Sequence, residues 1–512
     1  MSIYSVYSVA FIVLCHIEPN IVYLSYIVQG LSGILTSLTL GFLTSFFSFL
    51  ISVPLIDSRH GQTHRRVYTT KKLLLCRASN RSLLTLAIET SCDDTSVAIL
   101  EKHNDNSAAT LHFNSKITSD NRSYGGVWPI AAHESHQRNL AQLVKEALLA
   151  LPRQQTTNAS FENTVAVTTP HGSELCRKPD FITVTRGPGM RANLITGIDT
   201  AKGLAVAWQV PLLGVNHMQA HALTPRMVSA LDAASVIGDQ NYDNDPAYPF
   251  LSLLVSGGHT MLVHSRQLCD HEILATTSDL AVGDMVDKTA RDILPASVIE
   301  SAPDVMYGRV MEEFAFPDSN PTYGYEPSLT SIAQPPKPTK YGWTIKPPYL
   351  SPGPGGLRAF NSEFSYSGIG SQVKRIVEQK PDLDDIERRL LAQETMRVAF
   401  EHLASRVILA LESSDLEDIT TLVVSGGVAA NQYLKHILRA VLDVRGHKSM
   451  RLLFPPPKFC TDNAAMIAWT GIEMWEAGWR SELDILAAKK WAIDPRTDGG
   501  ILGLDGWKQQ AI

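Results

Sequence analysis

Twice along this chain a buried strand runs through a short turn into a second strand, and twice a later strand runs into a glycine loop that opens a helix. In the first half, Leu83 to Ile88 reads as a buried strand, Glu89 to Thr95 as a polar turn and Ser96 to Leu100 as the return strand. Phe181 to Thr185 then leads into Arg186-Gly187-Pro188-Gly189 and a helix-like stretch. In the second half, Leu251 to Val255, the turn Ser256-Gly257-Gly258-His259 and Thr260 to Val263 precede Leu422 to Val424, Ser425-Gly426-Gly427 and another helix. Such a duplication points to two similar α/β halves facing each other across a cleft. A single Gly-Gly after a strand is usually only a turn. Two matched pairs in the same order point further, to loops that present backbone N–H groups and helix dipoles to a phosphate or similar anion.

At 512 residues the chain exceeds what one hydrophobic core fills, which leads to an expectation of about two to three domains. With 44% hydrophobic and 19% charged residues, disorder is not its main theme. A formal charge of −6 gives no overall pull toward nucleic acid, so any RNA contact must rest on a local basic patch. Cys15, Cys76, Cys92, Cys176, Cys269 and Cys460 are scattered and form no C-x-x-C pair, which argues against a zinc ribbon or a disulfide framework.

The N-terminal part carries two conflicting signals. From Pro19 to Ile56 there is no Asp, Glu, Lys or Arg, a length sufficient to cross a bilayer. Arg59, Arg65, Arg66, Lys71, Lys72, Arg77 and Arg81 then sit among Ser and Thr without an acid, the composition of a mitochondrial transit peptide. Residues 1–57 are therefore either a membrane anchor or translated non-coding sequence from a misassigned exon, and residues 58–82 are transit-like.

Pro129 to Leu151 has helical periodicity, with Leu140, Leu143, Val144, Leu148 and Leu149 as its apolar stripe and His133 and His136 expected at a surface or interface. Residues 295–357 are rich in Pro, Ser, Tyr and Gly and read as a long insertion without a core of its own, exposed over 318–356. The most pointed chemistry lies in His217-Met218-Gln219-Ala220-His221. Histidines at i and i+4 share a helix face and can converge on one metal ion, although such a pair can equally bind water or a carbonyl. Asp462, in Cys460-Thr461-Asp462-Asn463, offers a third ligand, and two histidines with one carboxylate suit iron or zinc with open positions.

These segments, together with Leu86-Ala87-Ile88-Glu89-Thr90-Ser91-Cys92-Asp93-Asp94-Thr95, Leu254-Val255-Ser256-Gly257-Gly258-His259-Thr260 and Ser425-Gly426-Gly427-Val428-Ala429-Ala430-Asn431, occur in the order found in a known family. From about Leu83 to Trp507 the chain resembles the TsaD/OSGEP family of tRNA threonylcarbamoyladenosine synthases. Gly203 to Trp208, Ala281 to Asp284 and Leu504 to Trp507 resemble its fungal mitochondrial branch.

The resemblance implies an ASKHA (actin/sugar kinase/Hsp70-like) α/β fold, two RNase-H-like subdomains around a nucleotide cleft. Residues 83–215 would form the first, 216–462 the second, and 463–512 a helix and tail returning to the first. It implies transfer of threonylcarbamoyl from threonylcarbamoyl-AMP to the N6 amine of the adenosine 3′ of the anticodon, in tRNAs reading codons that begin with A. The setting would be mitochondrial, with a part in tRNA modification and genome maintenance. Carried over by position, His217, His221 and Asp462 would hold one divalent metal ion. Leu254, Val255, Ser256, Gly257, Gly258, Asp287, Gly308 and Asn431 would bind the adenylate, and Glu89 and Asp93 would face the cleft as acid/base candidates. A separate threonylcarbamoyl-AMP synthase would supply the adenylate to a homodimer; membrane contact is left open. Asn216 stands where many relatives have His, so Asn216→His is expected to be nearly neutral.

Three other classes compete. A His-Glu-x-x-His peptidase needs Glu where Met218 stands. An ASKHA-type small-molecule kinase or ATPase would use the scaffold without the His pair. A membrane-anchored scaffold would need a dead metal site.

Overall fold

The computed structural model describes residues 82–510 apart from 105–107, 155–162, 235–243, 318–322, 329–337, 351–361, 413–415 and 417. The anchor and transit readings, on residues 1–57 and all but the last of 58–82, lie outside the described residues. Among those described, no helix is long and apolar enough to cross a membrane.

The first half opens with β1 (Leu83–Glu89), whose LLTLAI run is buried on both faces. It pairs antiparallel with β2 (Asp94–Lys102), Leu86 opposite Ile99 and Ala87 opposite Ala98. β3 (Ala109–Thr118) follows antiparallel at the edge. Helix α1 (Pro129–Leu149) has proline in its first turn, where the missing N–H costs nothing, and buries Leu140, Leu143 and Val144. A small hairpin, β4 (Thr164–Thr169) and β5 (Gly172–Arg177), precedes β6 (Phe181–Gly187). The crossover helix α2 (Arg191–Trp208) then lets β7 (Leu212–Asn216) lie parallel to β6. Helix α3 (His217–Ala233) leaves that strand directly.

The second half repeats the plan. β8 (Phe250–Val255), β9 (Thr260–Gln267) and β10 (Asp270–Thr277) form the antiparallel part. Helices α4 (Val282–Ile293), α5 (Ala296–Glu300) and α6 (Tyr307–Ala315), the short strand β11 (Glu363–Phe364), and helices α7 (Ser367–Gln379) and α8 (Asp385–Leu411) intervene. β12 (Thr421–Ser425) pairs parallel with β8, and α9 (Gln432–Val444) crosses over to β13 (Arg451–Leu453). After α10 (Pro457–Cys460) and α11 (Ala464–Glu476), the chain returns to the first sheet with β14 (Trp479–Ser481) and β15 (Trp507–Gln509). The strand order β3-β2-β1-β6-β7 thus recurs as β10-β9-β8-β12-β13, two RNase-H-like halves in the ASKHA arrangement.

Helices α3 and α11 pack against each other between the sheets. One apolar cluster there joins Met218, Leu223 and Met227 of α3 with Leu254, Val263 and Val423 of the second sheet, and with Ala87 and Leu213 of the first. Within it, Arg226 Nε donates to Glu473 Oε1 at 2.8 Å, and Trp469 Nε1 donates to the same oxygen at 2.6 Å. Removing one partner of such a buried ion pair costs about 3–5 kcal/mol, because the other charge is left in a dry site.

Two expectations are corrected here. His136 is fully buried, its Nδ1 2.8 Å from Thr95 Oγ1, whereas Leu149 of the expected apolar stripe is half exposed. The 295–357 stretch contains α5 and α6, and it sends Tyr307, Met311, Tyr325, Trp343 and Ile345 into the core of the second half. Trp343 Nε1 donates to Glu387 Oε1 at 2.7 Å, so the insertion is docked at its aromatic residues even though its proline content resembles a free loop.

Candidate metal centre

Strand β7 ends at Asn216, whose side-chain oxygen accepts from Met218 N at 2.9 Å and Gln219 N at 3.2 Å. This N-cap starts α3 at His217, so His217 and His221 lie one above the other on its first turn. In the other half Asn463 caps α11 in the same manner, accepting from Met466 N at 3.1 Å, and Asp462 stands immediately before it. Asp462 Oδ1 lies 3.1 Å from His221 Nε2 and 3.4 Å from His217 Nε2. All three ligand atoms fall within 4.8 Å of one another, a spacing that one ion can bridge. Ser425 Oγ donates to the His221 carbonyl at 2.9 Å and so ties the second sheet's glycine turn to this helix.

Behind His217 sits Glu89, fully buried at the end of β1. Its Oε2 is 3.2 Å from His217 Nδ1 and accepts from the Thr185 hydroxyl, while Oε1 accepts from Ser91 N. The other nitrogen of a ligating histidine is ordinarily held this way, by a carboxylate that fixes the tautomer. Glu89, expected to face the cleft as an acid/base candidate, is thus fully buried against His217. Burial opposes charge on His217, but the carboxylates of Asp462 and Glu89 override it and push its pKa up to about 10. The pocket demands a positive charge, which a divalent cation on the same donors would supply. The donor set fits a metal.

Asp93, unlike Glu89, is only partly buried. Burial, then the neighbouring charges of Asp94 and Asp462, push its carboxyl up to about 6, within range of a proton acceptor at neutral pH. Three further residues, not among the expected site residues, lie close by. Lys116 Nζ bridges Asp94 Oδ2 at 2.7 Å and Thr461 Oγ1 at 2.9 Å, linking the hairpin to the Asp462 loop. Ser91 Oγ lies 3.3 Å from His217 Nδ1. His259 is held neutral, pushed down to about 4 by burial and by the nearby His217 and His221.

The glycine turns meet as the duplication requires. Gly189 abuts Ser91 so closely that a Cβ would lie 2.7 Å from the Ser91 carbonyl oxygen, and Gly426, at φ 100°, would place one 2.3 Å from the Val255 oxygen. Only glycine lets each later loop seat on the earlier hairpin. Of the proposed adenylate residues, Gly257 and Gly258 are exposed, whereas Ser256 Oγ accepts from the N–H groups of Gly258 and His259 within the turn. The side chains of Leu254 and Val255 are buried in the core, so these residues offer a ligand backbone at most. Gly308 N donates to Asp287 Oδ1 at 2.6 Å, which brings those two together, and burial pushes Asp287 up to about 6. Asn431 Oδ1 caps α9 through Leu434 N at 2.8 Å. Glu312 Oε1 takes the next donors, Gln432 N at 2.7 Å and Tyr433 N at 3.0 Å. The expectation that this helix end presents free N–H groups to a phosphate is thus overturned, since a carboxylate of α6 already occupies it.

Residues 175–469 match the family model described as TsaD: tRNA N6-adenosine threonylcarbamoyltransferase. The chain is similar to the mitochondrial tRNA N6-adenosine threonylcarbamoyltransferase of Schizosaccharomyces pombe, 36% identical over 439 residues, 84% of this chain and 90% of that protein. It is 31% identical over 412 residues to the mitochondrial protein of that name from Danio rerio, covering 78% and 85% of the two chains. To the tRNA N6-adenosine threonylcarbamoyltransferase of Rhizobium leguminosarum it is 30% identical over 421 residues, 81% of this chain and 95% of that one. With a duplicated ASKHA fold, two histidines and a carboxylate converging between its halves, and these matches over most of its length, the chain belongs to the TsaD family of tRNA N6-adenosine threonylcarbamoyltransferases.

Proposed function

We propose that this transferase works in mitochondria, moving threonylcarbamoyl from threonylcarbamoyl-AMP to the N6 amine of the adenosine 3′ of the anticodon, in tRNAs that read codons beginning with A. The observation that carries the reading is the convergence of His217, His221 and Asp462 at the junction of the two halves. These residues would hold one divalent ion, iron or zinc by the chemistry of the donors, which supplies a Lewis acid for the carbonyl under attack. Glu89 holds His217 in the ligating tautomer. The exposed Gly257–Gly258 turn, with Asp287, Gly308 and the side chain of Asn431, would cradle the adenylate. Asp93 would accept the proton that the exocyclic amine loses as the new bond to the carbonyl carbon forms and AMP departs. A separate synthase supplies the adenylate, and the active form is a homodimer in this reading.

The test is transfer itself. His217→Ala, His221→Ala and Asp462→Ala should each lose bound metal by elemental analysis and lose transfer to tRNA from supplied threonylcarbamoyl-AMP. Variants that lose metal yet keep wild-type rates would make the ion incidental. ATP turnover stimulated by a small molecule, without transfer to tRNA, would favour the kinase reading.

A further inference from the structure

Just beyond the hairpin of the first half, four large apolar side chains within seven residues stand in solvent: Tyr124 (54% exposed), Val127 (42%), Trp128 (45%) and Ile130 (61%). The rings of Tyr124 and Trp128 stack, their centroids 5.3 Å apart and their planes 11° from parallel. Single apolar residues on a surface are ordinary, but a contiguous patch of this kind marks a surface for binding.

The pair is fastened to the proposed proton acceptor through one buried residue. Asn121 Nδ2 donates to Asp93 Oδ2 at 3.4 Å, its Oδ1 accepts from Trp128 N at 3.0 Å, and its carbonyl accepts from Tyr124 N at 3.0 Å. Ser119 N donates to the Asp93 carbonyl at 2.9 Å, closing the loop onto the same residue. Two segments that carry exposed cations reach this point. His136 of α1, through Nε2 at 3.0 Å, and Asn193 in the first turn of α2, through Nδ2 at 2.5 Å, converge on the Cys92 carbonyl. The exposed Arg191 opens α2, and the exposed Lys489 takes Gly189 N on its carbonyl at 3.3 Å beside Ser91.

We propose that Tyr124 and Trp128 are a stacking platform for an unpaired base of the tRNA loop, adjacent to the adenosine being modified, with Arg191 and Lys489 meeting phosphates of the same loop. This rests on the transfer reading above and adds how the acceptor strand is gripped. An exocyclic amine reaches a side-chain carboxylate only when its base is unstacked from its neighbours, and aromatic rings are the usual replacement for the lost stacking. A second copy of the chain seated on these rings would bury the approach to Asp93, and it is the competing outcome.

The experiment uses the full-length protein and a fluorescent anticodon stem-loop RNA carrying the target adenosine. Trp128→Ala and Tyr124→Ala should weaken binding roughly 5- to 150-fold, the range for loss of one stacked base, with metal content unchanged. Trp128→Phe should retain most of the affinity. With an abasic residue at one of the two nucleotides flanking the adenosine, Trp128→Ala should cost nothing further. The proposal is overturned if the wild type modifies tRNA while Trp128→Ala binds the RNA equally well. It is also overturned if that variant changes the oligomeric mass and leaves RNA affinity intact. A wild type that holds metal but neither binds nor modifies tRNA would sink the functional reading itself.

Discussion

Replacing Glu89 by glutamine keeps its volume and removes one charge from the pocket behind His217. Glu89 Oε2 faces both the Thr185 hydroxyl and His217 Nδ1, at 3.2 Å from the latter, while Oε1 accepts from Ser91 N. A carboxylate accepts all three donors; an amide cannot. With its NH2 turned toward Ser91, two N–H groups confront each other in a fully buried site. With the NH2 toward His217, the Thr185 hydroxyl can rotate to accept, but the ring must then present Nδ1 as an acceptor and carry its proton on Nε2. Nε2 is the nitrogen that faces Asp462. The second arrangement costs less, so Glu89→Gln should fold with His217 in the non-ligating tautomer. Recovering the ligating form leaves a buried donor facing a donor, about 1–3 kcal/mol, equivalent to roughly a 5- to 150-fold loss of metal affinity. Metal affinity is measured by competition with a chromophoric chelator, and transfer to tRNA is followed at rising metal concentration. Affinity should fall, and saturating metal should restore transfer. Unchanged affinity, or a loss of transfer that metal does not recover, would refute the positioning argument and return Glu89 to proton transfer.

Asn216→His should not be neutral, because the side chain caps the helix carrying both histidines; its loss should cost about 1 kcal/mol in urea unfolding and loosen the metal. The proton acceptor should show in a pH–rate profile. With Asp93 raised to about 6, the ionised form prevails above that pH, so transfer should be flat there, fall as pH drops through about 6, and lose this limb in Asp93→Asn. Trp343→Ala removes a buried indole and its bond to Glu387, so it should cost about 3–5 kcal/mol and make residues 338–350 the first site of limited proteolysis.

The duplication and the histidine pair were legible because they rest on local pattern: alternation, glycine punctuation and i, i+4 spacing. Asp462 could be named as a carboxylate just ahead of a helix, yet its approach to His221 depends on how α11 packs on α3, which no local pattern encodes. Glu89 illustrates the limit most clearly. The family resemblance implies a cleft-facing acid, but whether it meets solvent or a histidine depends on the parallel strand β6, which supplies Thr185 from far along the chain. Likewise the glycine loop before α9 looks open to an anion, and only the placement of Glu312 on α6 closes it. The Pro-rich insertion misled for a related reason, since Tyr325, Trp343 and Ile345 are few against many prolines, and a few well-placed anchors suffice to dock a segment.

The sheet that opens the chain is completed by its end. Phe181 on β6 stacks on Trp475 at 4.3 Å, α11 covers β1 and β2, and β14 and β15 add the outer strands. During synthesis, or during threading through a membrane channel from the N-terminus, Leu83 to Asn216 therefore emerges with the face meant for α11 still bare. That face stays a bare apolar surface until almost the whole polypeptide has followed, longer than in a protein whose domains close in sequence order. A premature stop before Ala464 does not yield a smaller enzyme; it yields a first half that cannot be finished.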